Sequence, residues 1–346
     1  MTLNERLLAA GRRAAEVLAD SNIGQRISDG YTRVDPVKIA ASADVPLMFR
    51  RMEKLLGAYL KSDGPGILIN MDRPAGLVHM TCAHELGHHF LGHEAMADEF
   101  IEGGKSSSPV EQEADTFAYN LLVSRQVLVN VMKKKRWGAV QLRNPETIYQ
   151  LSLRLGTSYS SAVWSLARNN VISWSDAARL AKNAKAPKTY KQALLGTHSS
   201  VMESWKSDVW LLDEHDRDLI LEPHAGDKFV IDLPSHAAAG YLWSADIAAG
   251  EGFIVEPLSY NAIESAKSDP AAQSFGEVRA QRCIISSTAD EPQDMNRTAI
   301  ALVESQPWMG PSGHDDRYRA ATEYEMLQLG LSLAEKSKRI NQVKGA

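Results

Sequence analysis

Cysteine is scarce in this chain. Only Cys82 and Cys283 occur among its 346 residues, far apart in sequence. That excludes a disulfide framework and favours a reducing compartment. Long apolar runs are also missing. No stretch approaches the ~20 residues of a membrane-spanning helix, so no membrane partner is expected. Nor is there an excess of positive charge: the net charge is −5, which argues against a nucleic-acid surface over the whole molecule. The opening MTLNERLLAAGRRAAEVLAD contains acidic residues and reads as an amphipathic helix, not a signal peptide. A cytoplasmic location is expected. Hydrophobic residues make up 44% and charged residues 23%, as in ordinary globular proteins. The length predicts two or three domains.

Periodicity divides the chain. Leu3, Leu7, Leu8, Ala15, Val17 and Leu18 mark a first helix. Asp35-Pro36 opens a short one, with Asp35 as its cap. Residues 45–71 read as three short strands, and residues 74–93 as a buried helix. A polar loop over 102–109 leads into an amphipathic helix over 109–124. Residues 126–196 read as all-helical, ending in a polar linker over 184–200. Between residues 209 and 304 seven short strand-like runs are punctuated by glycine and proline, which suggests a β-sandwich. Residues 317–338 read as a helix. The expected domains are therefore 1–125 (α+β), 126–196 (helical, with helix-turn-helix character), 205–315 (all-β sandwich) and 316–346 (C-terminal helix and tail).

The chemistry concentrates in His84-Glu85-Leu86-Gly87-His88. Histidines four residues apart on a helix project from one face and can share a metal. Zinc lowers the pKa of a coordinated water to about 7, and Glu85, beside the first histidine, can take that proton. Three polar side chains on a buried helix are costly unless something satisfies them. Gly87 costs about 1 kcal/mol relative to alanine, which a close approach of substrate or of a strand would explain.

A third ligand is needed. Leu91 and Glu94 stand where the metzincin arrangement requires glycine and histidine. His89 and His93 fall off the ligand face if the helix continues, and read as exposed helix-end residues. The helix over 109–124 has the apolar stripe Ala114, Phe117, Ala118, Leu121 and Leu122, and Glu111 lies on it. Glu111 is the expected ligand, with Glu113 the alternative. Asp115 is expected to support a ligand from behind. Two histidines, one glutamate and an open fourth position define a catalytic zinc site.

Ala83-His84-Glu85-Leu86-Gly87-His88, followed by Glu111-x-Glu113-Ala114-x-x-Phe117-Ala118-x-x-Leu121-Leu122, resembles the ImmA/IrrE zinc metallopeptidases. The strand Ile67–Asn70 and the helix around Ile39 also fit, and the resemblance extends over residues 8–185. It implies a zincin-like fold and Glu111 as metal ligand. It also implies a regulatory protease that cleaves a helix-turn-helix transcriptional repressor in a stress, mobile-element or defence response.

The C-terminal half resembles chagasin-type cysteine-protease inhibitors, which have an immunoglobulin-like sandwich. The resemblance is carried by Gly226-Asp-Lys-Phe229, His236-Ala-Ala-Ala-Gly-Tyr-Leu-Trp243, Ser274-Phe-Gly276 and Gln306-Pro-Trp308. The loop residues differ from the inhibitory pattern at Ala237-Ala238-Ala239 and Gln306. A protein-binding module that presents substrate or senses a signal is therefore expected. Residues 158–170 offer only Arg168, Asn169 and Asn170 to a DNA groove, so direct DNA binding is not expected. The sequence thus predicts a zinc endopeptidase acting on a protein. The competing function is a DNA- or protein-binding regulator with a non-catalytic metal site.

Overall fold

The computed structural model describes residues 2–61, 64–94, 108–183, 186–196, 207–257, 279–287, 297–309, 315–325 and 327–344. The expected loop over 102–107 and the Ser274–Gly276 segment lie outside them. The chain forms two compact units, Met1–Pro187 with Met326–Ala346, and Lys188–Glu325. Among the described residues no helix is long and apolar enough to cross a membrane.

The first unit begins with α1 (Leu3–Asp20), opened by a reciprocal cap between Thr2 and Glu5. Then come α2 (Ile23–Ser28) and α3 (Pro36–Ser42), the latter capped by Asp35. Strands β1 (Leu47–Arg50), β2 (Gly57–Leu60) and β3 (Gly66–Asn70) precede α4 (Ala75–Leu91) and α5 (Pro109–Leu122). Helix α4 is buried continuously from Val78 to His88, so its polar residues sit inside the protein. Helices α6 (Arg125–Lys135), α7 (Pro145–Arg154), α8 (Tyr159–Arg168) and α9 (Trp174–Ala181) complete the helical stretch. They belong to the same unit as α4. Gly76 of α4 lies so close to the Thr157 backbone at the α7–α8 turn that no side chain fits between them.

The second unit is rich in sheet. It starts in α10 (Ala186–Leu195), where the sequence reads as a linker. Leu195 is buried with Val209, Val230 and Ile284, which explains why a polar segment is helical there. Strands β4 (Val209–Leu212), β5 (Ile220–Leu221), β6 (Lys228–Ser235) and β7 (Leu242–Ser244) follow, then the short α11 (Asp246–Gly250). β8 (Phe253–Pro257), β9 (Arg279–Ser287), β10 (Thr298–Ser305) and β11 (Asp316–Thr322) complete the unit. They form two four-stranded sheets, ordered β5-β11-β10-β7 and β4-β6-β9-β8. Both are mixed: β4 runs parallel to β6 and β5 parallel to β11, and the remaining pairs are antiparallel.

The helix expected over 317–338 is not formed. β11 occupies its first part, because alternation buries Tyr318, Ala320 and Thr322. Downstream come β12 (Gly330–Leu331) and α12 (Leu333–Lys344). β12 returns to the first unit, whose sheet is ordered β12-β1-β3-β2. There β1 and β3 are parallel and β2 is an antiparallel edge strand. This edge runs along α4.

Candidate metal centre

Two helices build the site. Helix α4 carries His84 and His88 one turn apart, 2% and 1% exposed. Helix α5 starts at Ser108, whose hydroxyl accepts from the Glu111 N–H, with Pro109 in its first turn. That start places Glu111 in the first turn, facing α4. The two helices approach closely because Gly87 meets Ala114. A Cβ on Gly87 would stand 3.1 Å from both Cα and O of Ala114. The close approach expected at Gly87 is therefore to a helix, not to substrate or a strand.

Potential ligand atoms of three residues converge. His84 Nε2 lies 3.0 Å from Glu111 Oε2 and 3.1 Å from His88 Nε2. His88 Nε2 lies 3.4 Å from Glu111 Oε1, a buried oxygen without a hydrogen bond. A tetrahedral zinc with bonds of about 2.0–2.1 Å separates its ligand atoms by roughly 3.3 Å. The donor set and its spacing therefore fit zinc. His84 Nδ1 lies 3.0 Å from Asp115 Oδ1. With Nδ1–H donating to that carboxylate, the Nε2 lone pair faces the other two ligand atoms.

His84 and Glu111 favour each other's charged forms across the two helices. Burial alone lowers the pKa of His84, but hydrogen bonds to Asp115 and Glu111 and the charge of Glu85 outweigh it and raise the imidazole to about 9. Burial raises the Glu111 pKa, but its contacts with His84 and His88 hold the carboxyl well below its usual value.

Glu85, 3% exposed, projects about 100° round the helix from His84, toward β2. Gly57 of β2 leaves the room its carboxylate occupies: a Cβ there would stand 2.9 Å from Glu85 Oε1. One turn further on, His89 Nδ1 lies 3.3 Å from the Tyr59 hydroxyl of the same strand. His89 is thus a packing partner of the edge strand and not an exposed residue. Burial, then Arg13, lowers its pKa.

The alternative ligand stands apart from the others, and one further expectation needs correction. Glu113 does not join the ligand atoms. It is 8% exposed and turned toward Arg6 of α1, with which it forms an ion pair. His93 does not point away. Its Nδ1 is 3.0 Å from His88 Nδ1 and its Nε2 is 3.4 Å from Glu113 Oε2. Burial and the neighbouring His88 lower the pKa of His93, against the opposing pull of Glu113. Helical phase could not locate it, because α4 ends at Leu91 and Gly92 turns the chain back at φ 71°.

Residues 40–163 match the family model of the IrrE N-terminal-like domain, Peptidase_M78. The matched stretch holds His84, Glu85, His88, Glu111 and Asp115, and it supports a metallopeptidase. Solved structures similar to part of the chain include two at low sequence identity. One is the crystal structure of the cysteine protease inhibitor EhICP2 from Entamoeba histolytica. It is 16% identical at a TM-score of 0.22, covering 34% of this chain and 95% of that one. The other is the solution structure of Amebosin, 20% identical at a TM-score of 0.23, covering 33% and 96%. No curated protein matches the chain.

Proposed function

We propose that this protein is a zinc-dependent endopeptidase in which His84, His88 and Glu111 hold the metal and Glu85 is the general base. The observation that carries this reading is the convergence of His84 Nε2, His88 Nε2 and a Glu111 carboxylate oxygen within 4.8 Å of one another, beside a buried glutamate. Zinc bound there would polarise the scissile carbonyl and make water acidic enough to lose a proton near neutral pH. Glu85 would take that proton and deliver it to the leaving amine. Asp115 orients His84. β2, at the edge of its sheet and beside Glu85, offers main-chain groups to an extended segment of substrate.

The substrate class we propose is a helix-turn-helix transcriptional repressor, cut in an exposed segment, as the resemblance to ImmA/IrrE enzymes implies. The test is incubation of candidate repressors with the wild type and with Glu85→Gln. The wild type should release two fragments and Glu85→Gln should bind zinc but release none. Cleavage by Glu85→Gln would overturn the assignment of the base. Zinc binding with salt-dependent binding to duplex DNA and no cleavage would instead make the protein a regulator.

We read the sheet-rich unit as an immunoglobulin-like protein-binding module. In support, Gly240, at φ 82°, lies against the Trp308 ring too closely for any side chain, and Gln306 Nε2 donates to Ala239 O at 3.0 Å. These contacts hold two loops together and leave Trp308 69% exposed, with its chain neighbour Met309 also exposed. Because the loop residues differ from the inhibitory pattern, the full chain should not inhibit a papain-like protease. Stoichiometric inhibition would make this unit an inhibitor.

A further inference from the structure

The two histidines of the metal centre are supported in different ways. Behind His84 stands a carboxylate, Asp115. Behind His88 stands another imidazole. His88 Nδ1 and His93 Nδ1 are 3.0 Å apart, their rings meeting edge to face with centroids 5.1 Å apart. Two imidazole nitrogens at that distance share one proton: one donates and the other accepts. His88 Nε2 faces Glu111 and His84, so its lone pair is free for a metal only if Nδ1 carries the proton. Then His88 Nδ1–H donates to His93 Nδ1. His93 must carry its own proton on Nε2, which faces Glu113 Oε2 at 3.4 Å. Glu113 pairs with Arg6 in turn. Every proton in the row points the same way, and the row ends on an ion pair. The His93 and Glu113 side chains are only 9% and 10% exposed, so water competes weakly for these bonds.

We propose that His93, backed by Glu113 and Arg6, is a positioning residue that holds His88 in the metal-binding tautomer and orientation. This rests on the metallopeptidase reading above. Arg6 lies on α1, before the matched residues 40–163, so the first helix of this chain would be part of the metal site's support. The same geometry accounts for Glu113, which neither binds metal nor faces solvent. Removing such a hydrogen-bond partner from a ligating histidine typically costs about 10- to 100-fold in metal affinity.

The test is zinc affinity of the full-length protein, measured by competition with a chromogenic chelator, with melting of the metal-free form alongside. Wild type should bind one zinc per chain. His93→Phe keeps a planar ring but removes the acceptor, and should weaken zinc about 10- to 100-fold. His93→Gln can accept from His88 and donate to Glu113, and should recover most of that loss. Arg6→Met, which alters the remote end of the row, should have a smaller effect in the same direction. A merely structural role would lower the melting temperature of the metal-free form without a selective loss of zinc. Wild-type affinity in His93→Phe would overturn the proposal, as would a loss that His93→Gln does not recover. Should His93→Phe fail to fold, the decision falls to His93→Gln and Arg6→Met: near-wild-type affinity in the first with a modest loss in the second supports the proposal. Absence of zinc from the wild type would overturn the metallopeptidase reading and this proposal with it.

Discussion

Gly57 and Glu85 meet so closely that a methyl group on the glycine would stand 2.9 Å from Glu85 Oε1 and 2.5 Å from Thr81 Cγ2. Gly57 is buried and paired with Ile69 of β3, so the strand has little room to retreat. Gly57→Ala should therefore displace the Glu85 carboxylate while leaving the ligand atoms of α4 and α5 in place. A misplacement of about 1 Å can cost roughly 100-fold in rate. Cleavage of the wild-type substrate should fall about 10- to 100-fold with zinc stoichiometry retained. Unchanged cleavage would mean that this strand does not hold the base.

The second prediction concerns the helix pair. Gly87→Ala adds a methyl 3.1 Å from the Ala114 backbone and 3.3 Å from Phe117 Cβ. Ala114 and Phe117 are wholly buried and cannot step aside. Alanine regains about 1 kcal/mol of helix propensity, but overpacking costs about 1–3 kcal/mol. The balance should be destabilising, and zinc affinity should fall because α4 and α5 each carry ligands. Chemical denaturation and chelator competition measure both. A variant as stable as wild type, with equal affinity, would show that the helices separate freely.

The metal-free protein should show a characteristic pH dependence. His84 is raised from 6.5 to about 9, so its contribution to stability is complete below pH 6.5 and is lost as pH rises toward 9. Glu111 is lowered from 4.5, so its contribution is complete above pH 4.5 and is lost on acidification through its lower folded-state value. Together they favour the fold most between those two values. Melting temperature without metal should fall from pH 6.5 to 9, and His84→Gln should flatten that fall. Over the same window zinc displaces the His84 proton more easily, so affinity should climb, by up to about tenfold per pH unit. An affinity independent of pH there would contradict the assignment of His84.

Much of the candidate site's geometry is legible because it is written in helical spacing. His84 and His88 one turn apart, and Glu111 on the apolar stripe of a second helix, need only the 3.6-residue period. The stripe favours Glu111 over Glu113 as the ligand. It is silent on the role of Glu113, whose partner Arg6 is more than a hundred residues earlier in the chain. Helical phase misplaces His93 for a local reason: phase holds only while the helix continues, and Gly92 ends it. Elsewhere, high helix propensity after Arg317 was overridden by pairing of β11 with β10 and β5. Helix α10 is not legible because the buried Leu195 and the half-buried Leu194, not a long stripe, anchor it. The seven strand-like runs between 209 and 304 all correspond to strands, but their parallel pairings depend on contacts that alternation does not encode.

The most direct measurement is the zinc content of full-length wild type, Glu85→Gln and Glu111→Ala after exposure to the same chelator, with folding verified by circular dichroism. The account predicts one zinc per chain in wild type and in Glu85→Gln, and loss of zinc from a folded Glu111→Ala. Zinc retained equally by Glu111→Ala, or none bound by the wild type, would contradict it.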